Sequence, residues 1–192
     1  KKSPKKAVVF LAEGAEDMEF SISVDVLRRA KIEVTVVGVD ISGDYATCAR
    51  GIKVVPDTKL DKISLKASEY DVAIVPGGAG SAKTLGAHKG VHKILMEFYE
   101  HAKLVAFICA GTLVAKEAGI PAHHTVTSFP GVKNQLTGVY TYSEDRVVVS
   151  DNVITSRAPG TAFLFALTIA EKLVGSEIVD TVKHDLLTLP EL

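Results

Sequence analysis

"KLVAFICAGTLVAK" fills residues 103–116, and its two halves follow different rules. Residues 103–109 are almost wholly apolar, with no polar alternation, as in a strand buried on both faces. From Ala110 to Ala118 the residues suit a helix, and Gly119 stands where a C-terminal cap belongs. Cys109 falls at the junction. A strand that runs straight into a helix makes a βα unit.

The unit recurs. Residues 7–12 (AVVFLA) and 71–78 (DVAIVPGG) are further apolar runs, and 32–39 (IEVTVVGV) has a β-branched, strand-like composition. Helical patterns occupy 16–30, a polar stretch from 79 to about 101, 160–174 and 176–187. Residues 124–129, 146–150 and 152–156 are later strand candidates. Strands alternating with helices predict an α/β sandwich on a mostly parallel sheet. Chemistry in such folds sits beyond the carboxyl ends of the strands. Three segments end a strand suitably: 13–19, 77–78 and 109–111.

A length of 192 residues suits one domain with a sizeable core, read as spanning 1–192 with a frayed basic tail, KKSPKK, at 1–6. The tail has no apolar core and is not a secretory signal. A net charge of -1 sets up no strong field, so neither nucleic acid nor an anionic membrane is expected as a partner. No apolar run reaches the length of a membrane span. Cys48 and Cys109 make no disulfide framework. A reducing compartment follows, the cytoplasm first, with mitochondrion and nucleus open.

A thiol at the start of a helix feels the positive end of the helix dipole and unpaired N–H groups, and both favour thiolate. Ala110 and Gly111 are small enough for a ligand to approach the backbone. The string ICAG at a strand-to-helix turn resembles a nucleophile elbow. A packed, inert core thiol fits the same residues equally well. Cys48 lies in the polar stretch YATCARG and reads as an incidental thiol.

In "AEGAEDMEF", residues 12–20, Glu16 and Asp17 suit the first turn of a helix. Glu19 does not: it shares a stripe with Ile22, Val26 and Ala30, while Asp17, Ser21, Asp25 and Arg28 form the opposite face. A carboxyl on the buried side is costly as an anion and tends to stay protonated. It can then donate to a thiolate or move a proton as acid or base. Gly77 and Gly78 suit close approach of backbone N–H groups to an oxyanion, though taken alone the pair fits a plain tight turn better. The six histidines, at 88, 92, 101, 123, 124 and 184, read as surface or loop residues. None forms a zinc-type array with cysteine, so no metal is expected.

The stretches "GAEDMEF…VDVLRRA", "CARG…VVPD", "DVAIVPGG", "ICAGT", "YTYSEDR" and "ITSRAPGTAFLFAL" are collinear with those of one family. Over nearly its whole length the chain resembles the Parkinson-disease deglycase family of the ThiJ/PfpI superfamily, which is glyoxalase III-like. The resemblance implies a flavodoxin-like three-layer α/β sandwich and a homodimer. It implies a reactive Cys109 contacted by protonated Glu19, with Gly77, Gly78 and Ala110 lining the same pocket. Arg50 matches an arginine supplied from the dimer partner, and Arg29 and Arg157 match arginines near that region. The implied activity is a cofactor-free glyoxalase or deglycase acting on methylglyoxal, glyoxal or their early adducts, protective against carbonyl and oxidative stress. The alternative it implies is a redox-sensing stress protein or chaperone whose cysteine oxidises to sulfinate.

The chain departs from the family pattern at three places. Phe129, in "TSFPG", stands where a histidine often precedes proline, and it cannot shuttle a proton. Thr112 replaces a proline after Cys-Ala-Gly, with a hydroxyl able to cap the helix. Ala158 replaces a glycine, which would tighten a turn. No histidine follows Cys109 and no His-x-Glu occurs, which argues against a cysteine peptidase or amidotransferase.

Overall fold

The central strands are buried because their side chains leave no face for water. In the computed structural model, which describes residues 2–192, the chain begins with β1 (Lys6–Leu11), α1 (Asp17–Arg29) and β2 (Glu33–Gly38). A two-residue hairpin, β3 (Ala46–Thr47) and β4 (Lys53–Val54), leads to β5 (Thr58–Lys59) and β6 (Val72–Val75). Then come α2 (Ala79–Ala87), α3 (Lys89–Glu100), β7 (Leu104–Ile108) and α4 (Thr112–Ala118). The last part holds β8 (Thr125–Val126), α5 (Lys133–Leu136), β9 (Thr141–Tyr142), β10 (Val147–Ser150), β11 (Val153–Ser156), α6 (Ala162–Val174) and α7 (Ser176–Leu186).

Seven strands form one sheet in the order β10-β11-β7-β6-β1-β2-β5. Every neighbouring pair is parallel except β10 with β11. Strand alternation divides the core in two. Ala7, Val9 and Leu11 of β1 pack with Leu27 of α1 and Phe165 and Ile169 of α6. Val8 and Phe10 face the other way, into Leu95 and Phe98 of α3 and Val114 of α4. The result is the expected three-layer α/β sandwich with a mostly parallel sheet. No helix among the described residues is long and apolar enough to cross a membrane.

Several boundaries differ from expectation. Lys6 opens β1 and is not part of a frayed tail, because its N–H donates to Asp71 at 2.8 Å. The stretch 79–101 is two helices, broken where His88 turns extended and caps α3 through its side chain. Of 124–129 only Thr125–Val126 pair as a strand. Residues Cys109–Gly111 form a separate 3-10 turn before α4. Thr112 does not cap: its hydroxyl donates to the Thr127 carbonyl at 2.9 Å, tying α4 to the neighbouring loop. Ala158 is extended (φ -165), a conformation open to any residue, so the missing glycine tightens nothing. Gly119 adopts φ 93 and caps α4 as the pattern required.

Gly111 is where the site presses hardest on the sheet. A Cβ there would lie 2.7 Å from the Val75 carbonyl oxygen and 2.9 Å from that of Pro76. Gly111→Ala should therefore force β6 and the turn apart and destabilise the protein by about 1–3 kcal/mol. Urea unfolding measures this, and an unchanged midpoint would show that the turn has room to spare.

Candidate active site

Three chain segments converge at the carboxyl ends of β1, β6 and β7. The first is the start of α1. Glu16 caps it by accepting the Glu19 N–H at 2.8 Å, which fixes the helix phase and turns Glu19 inward. Glu19 is fully buried. The second is the loop after β6, where the Gly77 N–H donates to Glu19 Oε1 at 2.9 Å. The Gly77 carbonyl accepts from the Glu16 N–H at 2.9 Å, so this loop and the helix start hold each other. The third is Cys109, which leaves β7 with φ 63. A left-handed cysteine costs roughly 1–2 kcal/mol, which marks a true elbow rather than a continued strand.

Glycine is obligatory between the second and third segments. A Cβ on Gly77 would collide with Glu19 Oε1 and lie 2.6 Å from Cys109 Cβ. The carboxyl and the cysteine thus approach one backbone atom from two sides. A Cβ on Gly78, at φ 97, would collide with the Gly14 carbonyl. The backbone N–H groups of Ala110 and Gly78 and the Glu19 carboxyl lie near the Cys109 sulfur and act on its proton, without full hydrogen-bond geometry to it. Glu19 Oε2 has no hydrogen-bond partner among the described residues.

Burial governs the protons. It pushes Glu19 up to about 7; the thiol and the Gly77 N–H pull the other way, and the Glu16 charge adds to the rise. Burial first, and the Glu19 charge second, push the Cys109 thiol up to about 12 against the two N–H donors. This corrects the expectation that a helix start would favour thiolate. A 3-10 turn separates Cys109 from a seven-residue α4, and desolvation beside a carboxylate outweighs what the N–H groups supply. Cys48 is also buried and raised to about 11, by burial and then the charges of Asp17, Glu13 and Glu16. It is a core thiol despite its polar sequence surroundings.

Of the three arginines, Arg157 reaches this end of the sheet: Ser156 pairs with Ile108, and its guanidinium donates to the Ser128 carbonyl at 3.2 Å and the Glu144 carbonyl at 3.3 Å. Arg50 is exposed in the turn between β3 and β4. Arg29 is not brought to the site within the chain. It lies ten residues beyond Glu19 on α1, about 15 Å at 1.5 Å per residue, and pairs with Asp25 at 2.5 Å. Phe129 is exposed, with its ring against Gly131. A groove of about 450 Å³ opens beside Ala110, walled by Ala82, Lys83, Leu113 and Val132. Two larger clefts, of about 750 and 720 Å³ beside Asp40 and His88, hold neither Cys109 nor Glu19.

Two features escaped the sequence reading. Asp17, assigned to a solvated face, is buried and accepts the N–H groups of Arg50 at 2.8 Å and Ile52 at 3.1 Å. It clamps the β3–β4 hairpin onto α1, and helix periodicity carries no trace of partners so far along the chain. His92 and His124 are buried rather than superficial. His92 Nε2 meets the Leu85 carbonyl at 2.9 Å, and His124 sits between the Tyr99 hydroxyl at 2.7 Å and the Ser150 hydroxyl at 2.9 Å.

A cysteine at a strained elbow, faced by a buried carboxyl on a doubly wound sheet, defines a class of cysteine-centred α/β proteins. The chain belongs to the DJ-1/PfpI family, whose model matches residues 5–172. It is 44% identical over 184 residues to Protein dj-1beta of Drosophila melanogaster, covering 95% of this chain and 97% of that protein. The crystal structure of Drosophila DJ-1beta superposes with a TM-score of 0.92 at 43% identity, covering 97% of this chain and 100% of that one. The chain is 35% identical over 187 residues to the glutathione-independent glyoxalase DJ-1 of Schizosaccharomyces pombe, covering 94% of this chain and 97% of that protein. It is 40% identical over 175 residues to the glutathione-independent glyoxalase DJR-1.2 of Caenorhabditis elegans, covering 90% and 91%.

Glu19 links the site to stability. Its proton is held to about pH 7 in the folded protein, against an ordinary 4.5. Below 4.5 both states carry the proton; between 4.5 and 7 the unfolded chain ionises first, so stability falls as pH rises and the loss is complete above 7. That loss is on the order of 3 kcal/mol. Glu19→Gln escapes it, so the variant should gain on the wild type across this window in paired thermal melts. A constant difference in Tm would rule out a buried, titrating Glu19.

Proposed function

We propose that this protein is a cofactor-independent glyoxalase or deglycase, acting through Cys109 on methylglyoxal, glyoxal or their early adducts and protecting against carbonyl and oxidative stress. The observation that carries the reading is a fully buried Glu19 carboxyl, held by the Gly77 N–H, meeting Cys109 at a left-handed elbow across a glycine that leaves no room for a side chain. The names of the S. pombe and C. elegans relatives support it.

The chemistry follows from where the protons sit. As the Cys109 sulfur bonds to the aldehyde carbon, the thiol proton passes to the Glu19 carboxylate. The aldehyde oxygen takes up charge facing the Gly78 and Ala110 N–H groups, then a proton from Glu19, giving a hemithioacetal. Glu19, again a carboxylate, removes the proton from the carbon bearing sulfur. Returning a proton to the neighbouring carbon through an enediol converts the adduct to a thioester of the hydroxy acid. Water cleaves the thioester, releasing lactate from methylglyoxal and restoring the thiol. The sum is one aldehyde plus one water, with no net oxidation. Phe129 takes no proton, so Glu19 performs each transfer in this scheme, while Gly77 and Arg157 support the loops that hold the site.

The same reading makes the chain one domain that works as a cytoplasmic homodimer, with Arg50 carried to the partner's site. Support comes from the exposed apolar residues Met18, Ile52 and Val55 around the hairpin that Asp17 anchors. Sedimentation velocity should give twice the chain mass, and a monomer at micromolar concentration would remove Arg50 from the site.

Two substitutions test the mechanism. Cys109→Ser should abolish lactate formation from methylglyoxal, and Glu19→Gln should lower the rate at least about 100-fold. Near-full activity in either variant would sink the scheme.

A further inference from the structure

The pole of the sheet opposite Cys109 holds a second group of reactive side chains. β10 turns into β11 through Asp151 and Asn152, and the Val105 N–H donates to the Asn152 carbonyl at 3.0 Å. That contact is at the amino end of β7, whereas Cys109 follows its carboxyl end. His123 and His124 lead into β8 beside the same turn. His123 Nε2 lies 3.9 Å from Asp151 Oδ2, and His124 Nδ1 lies 4.0 Å from it. The two imidazoles are 4.1 Å apart, and the three ligand atoms fall within 4.8 Å of one another.

We propose that His123, His124 and Asp151 form a binding site for a first-row divalent transition ion of the zinc type. Two imidazole nitrogens and one carboxylate oxygen suit such an ion better than calcium or magnesium, which prefer all-oxygen shells. A tetrahedral ion with ligands near 2.0–2.2 Å holds its ligand atoms about 3.3 Å apart. The imidazole–carboxylate separations of 3.9 and 4.0 Å need less than 1 Å of closure, and a full span of up to 4.8 Å about 1.5 Å. The exposed members can supply that movement, since the side chains of His123 and Asp151 are 63% and 77% accessible.

His124 is the fixed member. Its side chain is 0% accessible, and its Nε2 is held by the Tyr99 hydroxyl at 2.7 Å. This is the outer support that orients a ligating imidazole, and it leaves Nδ1 toward Asp151. Without an ion the Ser150 hydroxyl occupies Nδ1 at 2.9 Å. Serine can rotate its proton away, and its oxygen still accepts the Thr125 N–H at 3.2 Å. Three ligands leave the remaining position to water. The bound ion would tie the loop before β8 to the β10–β11 turn, so its consequence is stability, not the chemistry at Cys109.

The test uses the full-length, tag-free, metal-stripped protein, titrated with Zn²⁺ by calorimetry and with Co²⁺ by visible absorption. The expected result is one Zn²⁺ equivalent that Cys109→Ala retains and that raises Tm. The cobalt spectrum should lack a thiolate charge-transfer band. His123→Gln and Asp151→Asn change exposed side chains, so both should fold with unaltered metal-free Tm and each bind at least about tenfold more weakly. Absence of binding, affinity unchanged in both variants, or binding that vanishes with Cys109→Ala would each overturn the proposal.

Discussion

A carboxyl with no exposure to water stays in a fold only where neighbouring groups answer it, and Glu19 is answered by two. The Gly77 N–H takes one oxygen and the Cys109 thiol faces the carboxyl. Much of the surrounding geometry follows from holding those three together. Glu16 must cap α1 so that Glu19 points inward, and position 77 must lack a side chain so that the carboxyl and the cysteine can meet. Cys109 must take a left-handed backbone, because an extended one would carry its sulfur on along β7. Gly111 must let the next turn press against the β6 carbonyls. Each requirement falls on a different segment, and the parallel sheet brings their ends to one edge.

The fold was legible because burial on both faces leaves a plain mark. Runs such as AVVFLA and VAFI have no polar alternation, and only a covered parallel sheet uses strands of that kind. Glu19 was legible for the converse reason: one polar residue on an apolar helix stripe breaks a pattern. Asp17 was not, because its partners are backbone N–H groups of Arg50 and Ile52, whose positions depend on tertiary structure. The proton affinity of Cys109 was misread for a related reason. Its place at a helix start is visible in sequence, but burial and the Glu19 charge appear only once the segments meet. His124 likewise reads as a loop residue until Tyr99 and Ser150 close around it.

The two ends of the sheet use their polar groups differently. At the carboxyl end the Cys109 thiol and the buried Glu19 carboxyl lie in a strained, tightly packed corner. At the amino end His124 is held in a hydrogen-bond network beside two exposed partners. Reaction chemistry gains from groups that are fixed before the substrate arrives. A structural ion gains from flexible ligands that close on it, because the ion itself supplies the order. The assignment of chemistry to one pole and stabilisation to the other rests on that contrast.

The proton positions also weigh on the choice between turnover and sensing. A redox sensor needs a standing thiolate, because that is the form peroxide attacks. Here burial and the neighbouring Glu19 charge both push the Cys109 thiol upward, toward its protonated form. Glu19, raised to about 7, is poised between its two forms at neutral pH and can take that proton as a bond to carbon forms. Under the proposed function, the oxygen of an aldehyde would gain charge near the Gly78 and Ala110 N–H groups. A buried thiol beside a carboxyl of raised proton affinity then suits addition to a carbonyl, with Glu19 as the one proton carrier where Phe129 stands.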